Sequence, residues 1–114
     1  MIALDPRPLT PTEVAVIVNA LRRAPFGAGS EVDEQFLANE LRVVGRCDCG
    51  CASIFFVPEE WRDDRHRVAD GAGETADGEH VTIIVWANST ALAHLELVSY
   101  SDRRALLPVP SSTR

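Results

Sequence analysis

The chain lacks most features that would identify a function directly. Its 114 residues include no lysine and no apolar run long enough to cross a membrane. Charged residues and prolines interrupt residues 5–8, so no signal peptide is predicted. A phosphate-binding glycine loop, a G-x-S-x-G motif and an H-E-x-x-H motif are also missing. The sequence therefore predicts no membrane segment, disfavours an enzyme, and makes a cytoplasmic location the default expectation.

Positive charge is also scarce. The chain has seventeen acidic and eleven basic residues, which gives a net charge of −6. Nucleic-acid binding normally requires a basic surface, so no nucleic-acid partner is predicted. A basic protein partner fits the charge better, although the charge can equally serve to keep the domain soluble. The first prediction of function is therefore a small non-catalytic binding or accessory module, with a basic protein as the partner that fits best.

The length bounds the domain organisation. A chain of 114 residues is expected to form one domain, residues 1–114, and it can bury a core without disulfides or metals. The ordered core is predicted to span about residues 9–108. The tail, residues 109–114, contains Pro110 and is expected to fray.

The N-terminal third predicts two helices. Thr10 is suited to the N-cap, and Glu13 completes a capping box around Pro11. Apolar residues then recur at helical spacing, which predicts a helix over residues 11–23; they are Val14, Ile17, Val18 and Leu21. Ser30 is suited to the N-cap of a second, shorter helix that ends near Glu40.

The rest of the chain predicts strands. Residues 41–47 and 52–57 read as a first hairpin, and residues 81–86 and 92–100 as a second. Residues 65–70 predict a short edge strand between the two hairpins. This order indicates an α+β fold, with two N-terminal helices packed on an antiparallel meander sheet of four to five strands.

The chain has only three cysteines, Cys47, Cys49 and Cys51, and they alternate around the turn of the first hairpin. A three-residue loop would place Cys47 opposite Cys51, whereas a two-residue loop would turn Cys51 to the other face of the sheet. In both cases Cys47 is expected to be buried and Cys49 to lie exposed at the tip.

Three interpretations of these cysteines remain open. They can be small apolar residues of the core, and no cofactor is then expected. They can instead bind zinc through Cys47, Cys49 and Cys51, with His80 or His94 as the fourth ligand. The third interpretation is thiol redox chemistry, with a cross-strand disulfide.

The pair His94 and Glu96, and separately Trp86, can each be interpreted as functional or as structural. His94 and Glu96 lie two residues apart on one face of a predicted strand, which fits an acid–base pair or a solvated polar face. Trp86 falls on the polar side of its strand, where it can anchor a partner or lie covered by another segment.

The cysteine hairpin also resembles a known group of sequences. Residues 44–54 read V-G-R-C-D-C-G-C-A-S-I, and Leu107-Pro108 closes the unit. This pattern is similar to that of small actinobacterial proteins with an R-C-x-C-G-C-x-S-I hairpin before a strand meander. The resemblance covers roughly residues 41–108. It implies the extent of the folded unit and no activity, since no function of that group can be carried over.

Overall fold

The computed structural model describes residues 1–23, 34–58, 64–89, 91–101 and 103–114. Within these ranges, six antiparallel strands form one sheet in the order β1-β2-β3-β6-β5-β4, and two helices accompany it. The elements in chain order are β1 (Ile2–Pro8), α1 (Pro11–Arg22), α2 (Glu34–Asn39), β2 (Arg42–Arg46), β3 (Ile54–Phe55), β4 (His66–Glu74), β5 (His80–Ala87) and β6 (Leu92–Ser99), followed by a 3-10 turn (Pro110–Ser112). The predicted α+β class is confirmed.

The strand β1 was not predicted, and it changes both the strand count and the position of the helices. The sheet has six strands rather than four to five, and the helices lie between β1 and β2 in the chain rather than before every strand. Pro6 and Pro8 argue against a strand because proline cannot donate to a ladder. An edge strand tolerates them, and the pairing of β1 with β2 is irregular between Ala3 and Arg7.

The first helix forms as the capping residues predict. The Glu13 N–H donates to Thr10 Oγ1 at 3.1 Å, and the Thr10 N–H donates to Glu13 Oε1 at 2.8 Å. These two bonds satisfy backbone donors that an uncapped helix would leave free. The predicted start of the second helix at Ser30 lies outside the described residues, and α2 ends at Asn39, one residue before the predicted end.

An ion pair connects β1 to α1. Both terminal nitrogens of Arg7 donate to the buried carboxylate of Glu13, at 2.9 and 3.0 Å. Burial opposes ionisation of this carboxylate, but the hydrogen bonds from Arg7 and Thr10 outweigh it and hold the pKa of Glu13 below its ordinary value. The edge strand β1 is thereby anchored to the helix through a charged group.

The core lies between the helices and one face of the sheet. Val16 and Ile17 of α1 are fully buried, as are Ile83 of β5 and Leu95 of β6. Alternate residues of β5 and β6 face this core, and the residues between them face the opposite side, as the period-two pattern predicts. In the described part of the chain, no helix is long and apolar enough to cross a membrane.

The C-terminal tail is docked rather than frayed, which corrects the expectation for residues 109–114. Ala72 and Arg114 exchange two backbone hydrogen bonds of 2.7 and 2.8 Å, and the Val109 N–H donates to the Glu74 carbonyl at 2.8 Å. The edge strand β4 offers free backbone groups on its outer side. The tail satisfies several of them, and a local sequence pattern does not report that contact.

Candidate metal centre

The loop that carries the cysteines is longer than both of the lengths considered from the sequence. The ladder between β2 and β3 pairs Gly45 with Phe55 and Arg46 with Ile54. One further hydrogen bond joins the Cys47 N–H to the Ser53 carbonyl at 3.2 Å. The connection therefore spans residues 48–52, five residues instead of two or three, and β3 itself has only two residues.

Gly50 makes the sharp turn of this loop possible. Its φ is +90°, a conformation that residues with a side chain rarely adopt, and its N–H donates to the Cys47 carbonyl at 3.4 Å. A Cβ at this position would lie 2.9 Å from the guanidinium carbon of Arg104. The loop is further held by the Ala52 N–H, which donates to the Ala105 carbonyl at 2.8 Å. An arginine therefore packs directly against the cysteine loop.

The loop brings all three sulfur atoms together. The Sγ atoms of Cys47, Cys49 and Cys51 lie within 4.8 Å of one another, and those of Cys47 and Cys49 are 2.7 Å apart. This separation exceeds the roughly 2.05 Å of a disulfide, and all three are free thiols. Cys49 is exposed at the tip, as predicted, whereas Cys47 is half-buried rather than buried.

Hydrogen bonds separate the acidities of the two closest thiols. A hydrogen bond joins Cys47 Sγ and Cys49 Sγ, and this bond together with partial burial raises the pKa of Cys47 to about 11. The same bond lowers the pKa of Cys49, aided by the Cys51 N–H, which donates to Cys49 Sγ at 3.4 Å. Cys49 therefore ionises first, and an exposed thiolate is the form that attracts metals and oxidants.

Ser53 orients the third thiol, a role that the sequence did not signal. The S–H of Cys51 donates to Ser53 Oγ at 3.3 Å, and the Leu97 N–H donates to the same oxygen at 2.9 Å. The hydroxyl in turn donates to the Leu97 carbonyl at 3.4 Å. The two bonds with Leu97 lie just beyond the short ladder of β3 and β6. This buried hydroxyl therefore connects the cysteine loop to β6, a central strand of the sheet.

The two candidate histidines lie apart from the sulfur cluster. His80 is the first residue of β5, and β3 and β6 separate that strand from β2. Its Nδ1 lies 3.7 Å from a carboxylate oxygen of Glu74. His94 is buried on β6, where its ring stacks on Phe55 with centroids 4.0 Å apart. Among the described His, Cys, Asp and Glu residues, the ligand atoms that converge here are the three sulfurs.

The positions proposed as an acid–base pair have other contacts. The carboxylate of Glu96 accepts a hydrogen bond of 3.0 Å from the indole N–H of Trp86. The guanidinium carbon of Arg65 lies 4.9 Å from the centre of the Trp86 ring, and Arg65 also approaches His94 Nδ1 at 3.4 Å. These contacts join the side chains of Glu96, Trp86 and His94 on the outer face of the sheet, and the Arg65 guanidinium covers the Trp86 ring. His94 is buried there, so the expectation of a solvated polar face is wrong for this residue.

Much of the acidic charge around the turn between β4 and β5 is already paired. Arg103 lies 3.5 Å from Asp77 and 3.4 Å from Glu79, and Arg114 lies 3.5 Å from Glu74. Such exposed pairs contribute little to stability, but they reduce the local field that a basic protein would sense. A basic partner stays a prediction.

Comparison of the chain with models of known protein families, with curated proteins and with solved structures found no match. The resemblance to the actinobacterial hairpin proteins stays a prediction as well. Any functional conclusion therefore depends on the geometry of the cysteine loop itself.

Proposed function

We propose that this protein binds a thiophilic metal ion, of the class that includes zinc and monovalent copper, through Cys47, Cys49 and Cys51. The observation that carries the proposal is the convergence of all three sulfurs to within 4.8 Å, in a chain that has no other cysteine. Clustered thiolates are ligands of choice for soft and borderline metal ions.

The exposure of the cluster supports this interpretation over a role in the core. Cysteines that only fill space are expected to be buried. Here Cys49 is exposed and the other two are half-buried. A five-residue loop with a left-handed glycine brings the three sulfur atoms together, although Cys51 also packs against the apolar core. An ion at this position would be reached directly from solvent.

Thiol redox chemistry competes for the same sulfur atoms. A disulfide between Cys47 and Cys49 would remove two of the three ligands, so oxidation and metal binding exclude each other. Thiol titration under denaturing conditions separates the two possibilities. Three free thiols in the denatured protein that metal protects in the native protein favour the proposal, whereas one free thiol in denatured protein that was purified without reductant favours the redox alternative.

The test is a zinc titration of the reduced protein in competition with a chromophoric chelator. We expect one ion per chain in the native protein. Replacing any one of the three cysteines, as in Cys47→Ser, Cys49→Ser or Cys51→Ser, should weaken binding by more than the roughly 10–100-fold that losing an outer-shell partner costs. Circular dichroism serves to check that each variant is folded.

Two matched variants serve as controls. Asp48→Asn changes a charge within the same loop without removing a sulfur. His80→Asn removes the histidine that the sequence suggested as a fourth ligand. Both should bind zinc as the native protein does, because neither side chain belongs to the converging group. The proposal fails if the native protein binds no ion, or if the cysteine variants bind as tightly as Asp48→Asn.

A further inference from the structure

Met1 lies beside the cysteine loop, with its amino group 4.0 Å from a carboxylate oxygen of Asp48. Met1 is the only methionine of the chain. The register of β1 against β2 pairs Ile2 with Arg46, so Met1 comes opposite Cys47 at the next position. Residues directly opposite each other in an antiparallel pair place their side chains on the same face of the sheet. The thioether of Met1 therefore shares the face of Cys47.

Gly45 provides the space in which this thioether lies. A Cβ at Gly45 would overlap Met1 Sδ and would lie 2.8 Å from Met1 Cγ. Gly45 and Cys47 are two residues apart on β2, so they also share a face. The Met1 side chain is only 10% exposed. For the sulfur to reach an ion at Cys47, the unbranched, flexible side chain would rotate away from Gly45.

A thioether distinguishes between the metal ions that thiolates bind. Zinc in proteins takes thiolate, imidazole and carboxylate ligands. The neutral thioether is a soft donor that suits monovalent copper. Among the described His, Cys, Asp and Glu residues, only the three cysteine sulfurs converge here, so a thioether from Met1 would complete a donor set made entirely of sulfur. That donor chemistry favours copper over zinc.

We propose that the ion is monovalent copper and that Met1 Sδ is a ligand in addition to the three cysteine sulfurs. This inference rests on the proposed function and names the metal of the same site. A monovalent ion leaves more negative charge on the thiolates than zinc does. The guanidinium of Arg104, packed against Gly50, lies where it offsets that charge.

Selenium absorption spectroscopy tests the proposal directly. Selenomethionine labels Met1 alone, because the chain has no other methionine. In protein loaded with monovalent copper under anaerobic, reducing conditions, the selenium edge should report a copper neighbour at bonding distance, absent before loading. A selenium atom without a metal neighbour, in protein whose copper edge reports sulfur neighbours, overturns the role of Met1 and leaves the proposed function standing.

Norleucine at position 1 supplies the matched variant. It keeps the shape of methionine and replaces the sulfur by a methylene group. Affinity for monovalent copper, measured by competition with bicinchoninate, should fall by at least about tenfold, because a ligand is lost and even an outer-shell partner is worth roughly 10–100-fold. Zinc affinity should not change. Unchanged copper affinity, or equal losses for the two metals, contradicts the inference, whereas failure of the methionine protein to bind either metal contradicts the proposed function.

Discussion

The two hairpins of this sheet are built in different ways. In the hairpin of β5 and β6, paired residues run from Val81 and Ser99 to Trp86 and His94. In the hairpin of β2 and β3, two residue pairs form the ladder and a five-residue loop carries the cysteines. The first of these hairpins contributes four large, fully buried side chains to the core, namely Val81, Ile83, Val85 and Leu95. The other holds a reactive loop in place with few ladder bonds.

The difference shows how a small sheet can support a chemically active loop. Beyond the end of the β3 ladder, hydrogen bonds from a side chain and from the loop backbone hold the chain in position. Ser53 bonds to Leu97, and Ala52 bonds to Ala105. Because these contacts come from outside the hairpin, the loop can be wide enough to turn three thiols toward one another without losing its position. Stability is therefore expected to reside in the β5–β6 hairpin, and ligand binding in the β2–β3 hairpin.

The largest expected effect is a loss of stability when the core of the β5–β6 hairpin is altered. Ile83→Ala should lower the free energy of unfolding by about 2–5 kcal/mol, because it opens a cavity at a fully buried position. In metal-free protein, Cys49→Ser should change it by less than about 0.5 kcal/mol, because that side chain is exposed. Urea denaturation in the presence of chelator measures both. Similar losses in the two variants would contradict the division of roles.

A smaller loss is expected where the hairpins meet. Ser53→Ala should cost about 1–3 kcal/mol, because it leaves the buried Leu97 N–H without its acceptor. The exposed Ser111 offers a matched control, and Ser111→Ala should be close to neutral. Urea denaturation again provides the measurement. If Ser53→Ala proves neutral, this hydroxyl does not support the cysteine loop.

The two left-handed glycines allow a direct comparison of the turns. Gly50 has φ of +90° in the cysteine loop, and Gly78 has φ of +88° between β4 and β5. Alanine at either position should cost about 1–2 kcal/mol in backbone strain. A Cβ at Gly78 meets open space, whereas one at Gly50 meets Arg104.

Both substitutions should therefore destabilise the protein by similar amounts, whereas Gly50→Ala alone should displace Arg104 and weaken metal binding. Thermal unfolding and the zinc titration are the two measurements. Equal effects of the two substitutions on metal affinity would show that the turn at Gly50 does not position the sulfurs.

The smallest expected effect is a local loss of stability at low pH. Because the folded-state pKa of Glu13 is lowered, its stabilisation is fully present above its unfolded pKa and is lost as pH falls through the folded value. Acidification should therefore release β1 from α1, and protection of the β1–β2 amides should fall before that of the β5–β6 amides. Hydrogen exchange at neutral and acidic pH measures this order. Glu13→Gln should show the β1–β2 loss already at neutral pH, and simultaneous loss in both hairpins would be the contrary result.

The sequence was informative where local rules decide the structure. The box of Thr10 and Glu13 predicts the start of α1, and the alternation of apolar residues predicts the hairpin of β5 and β6. It failed for β1, because Pro6 and Pro8 are tolerated at a sheet edge that only the whole sheet defines.

The position of the cysteine loop in the chain was predictable from the sequence, but its length and conformation were not. Its position followed from the strands on either side. Its length depends on contacts that Ser53 makes with Leu97 and Ala52 with Ala105, which lie far apart in the sequence. The approach of Met1 depends on β1 and was missed for the same reason. The interpretation of His80 as a metal ligand rested on residue type alone, and the structure places that residue on a different strand.

The central claim is that the three cysteines hold a metal ion together. Its most direct test is elemental analysis of the purified protein, loaded anaerobically and passed through a desalting column, combined with thiol titration before and after chelation. We expect one thiophilic ion per chain and three thiols that become fully reactive only when the ion is removed. Less than about 0.2 ion per chain, with three thiols that titrate freely from the outset, would contradict the claim.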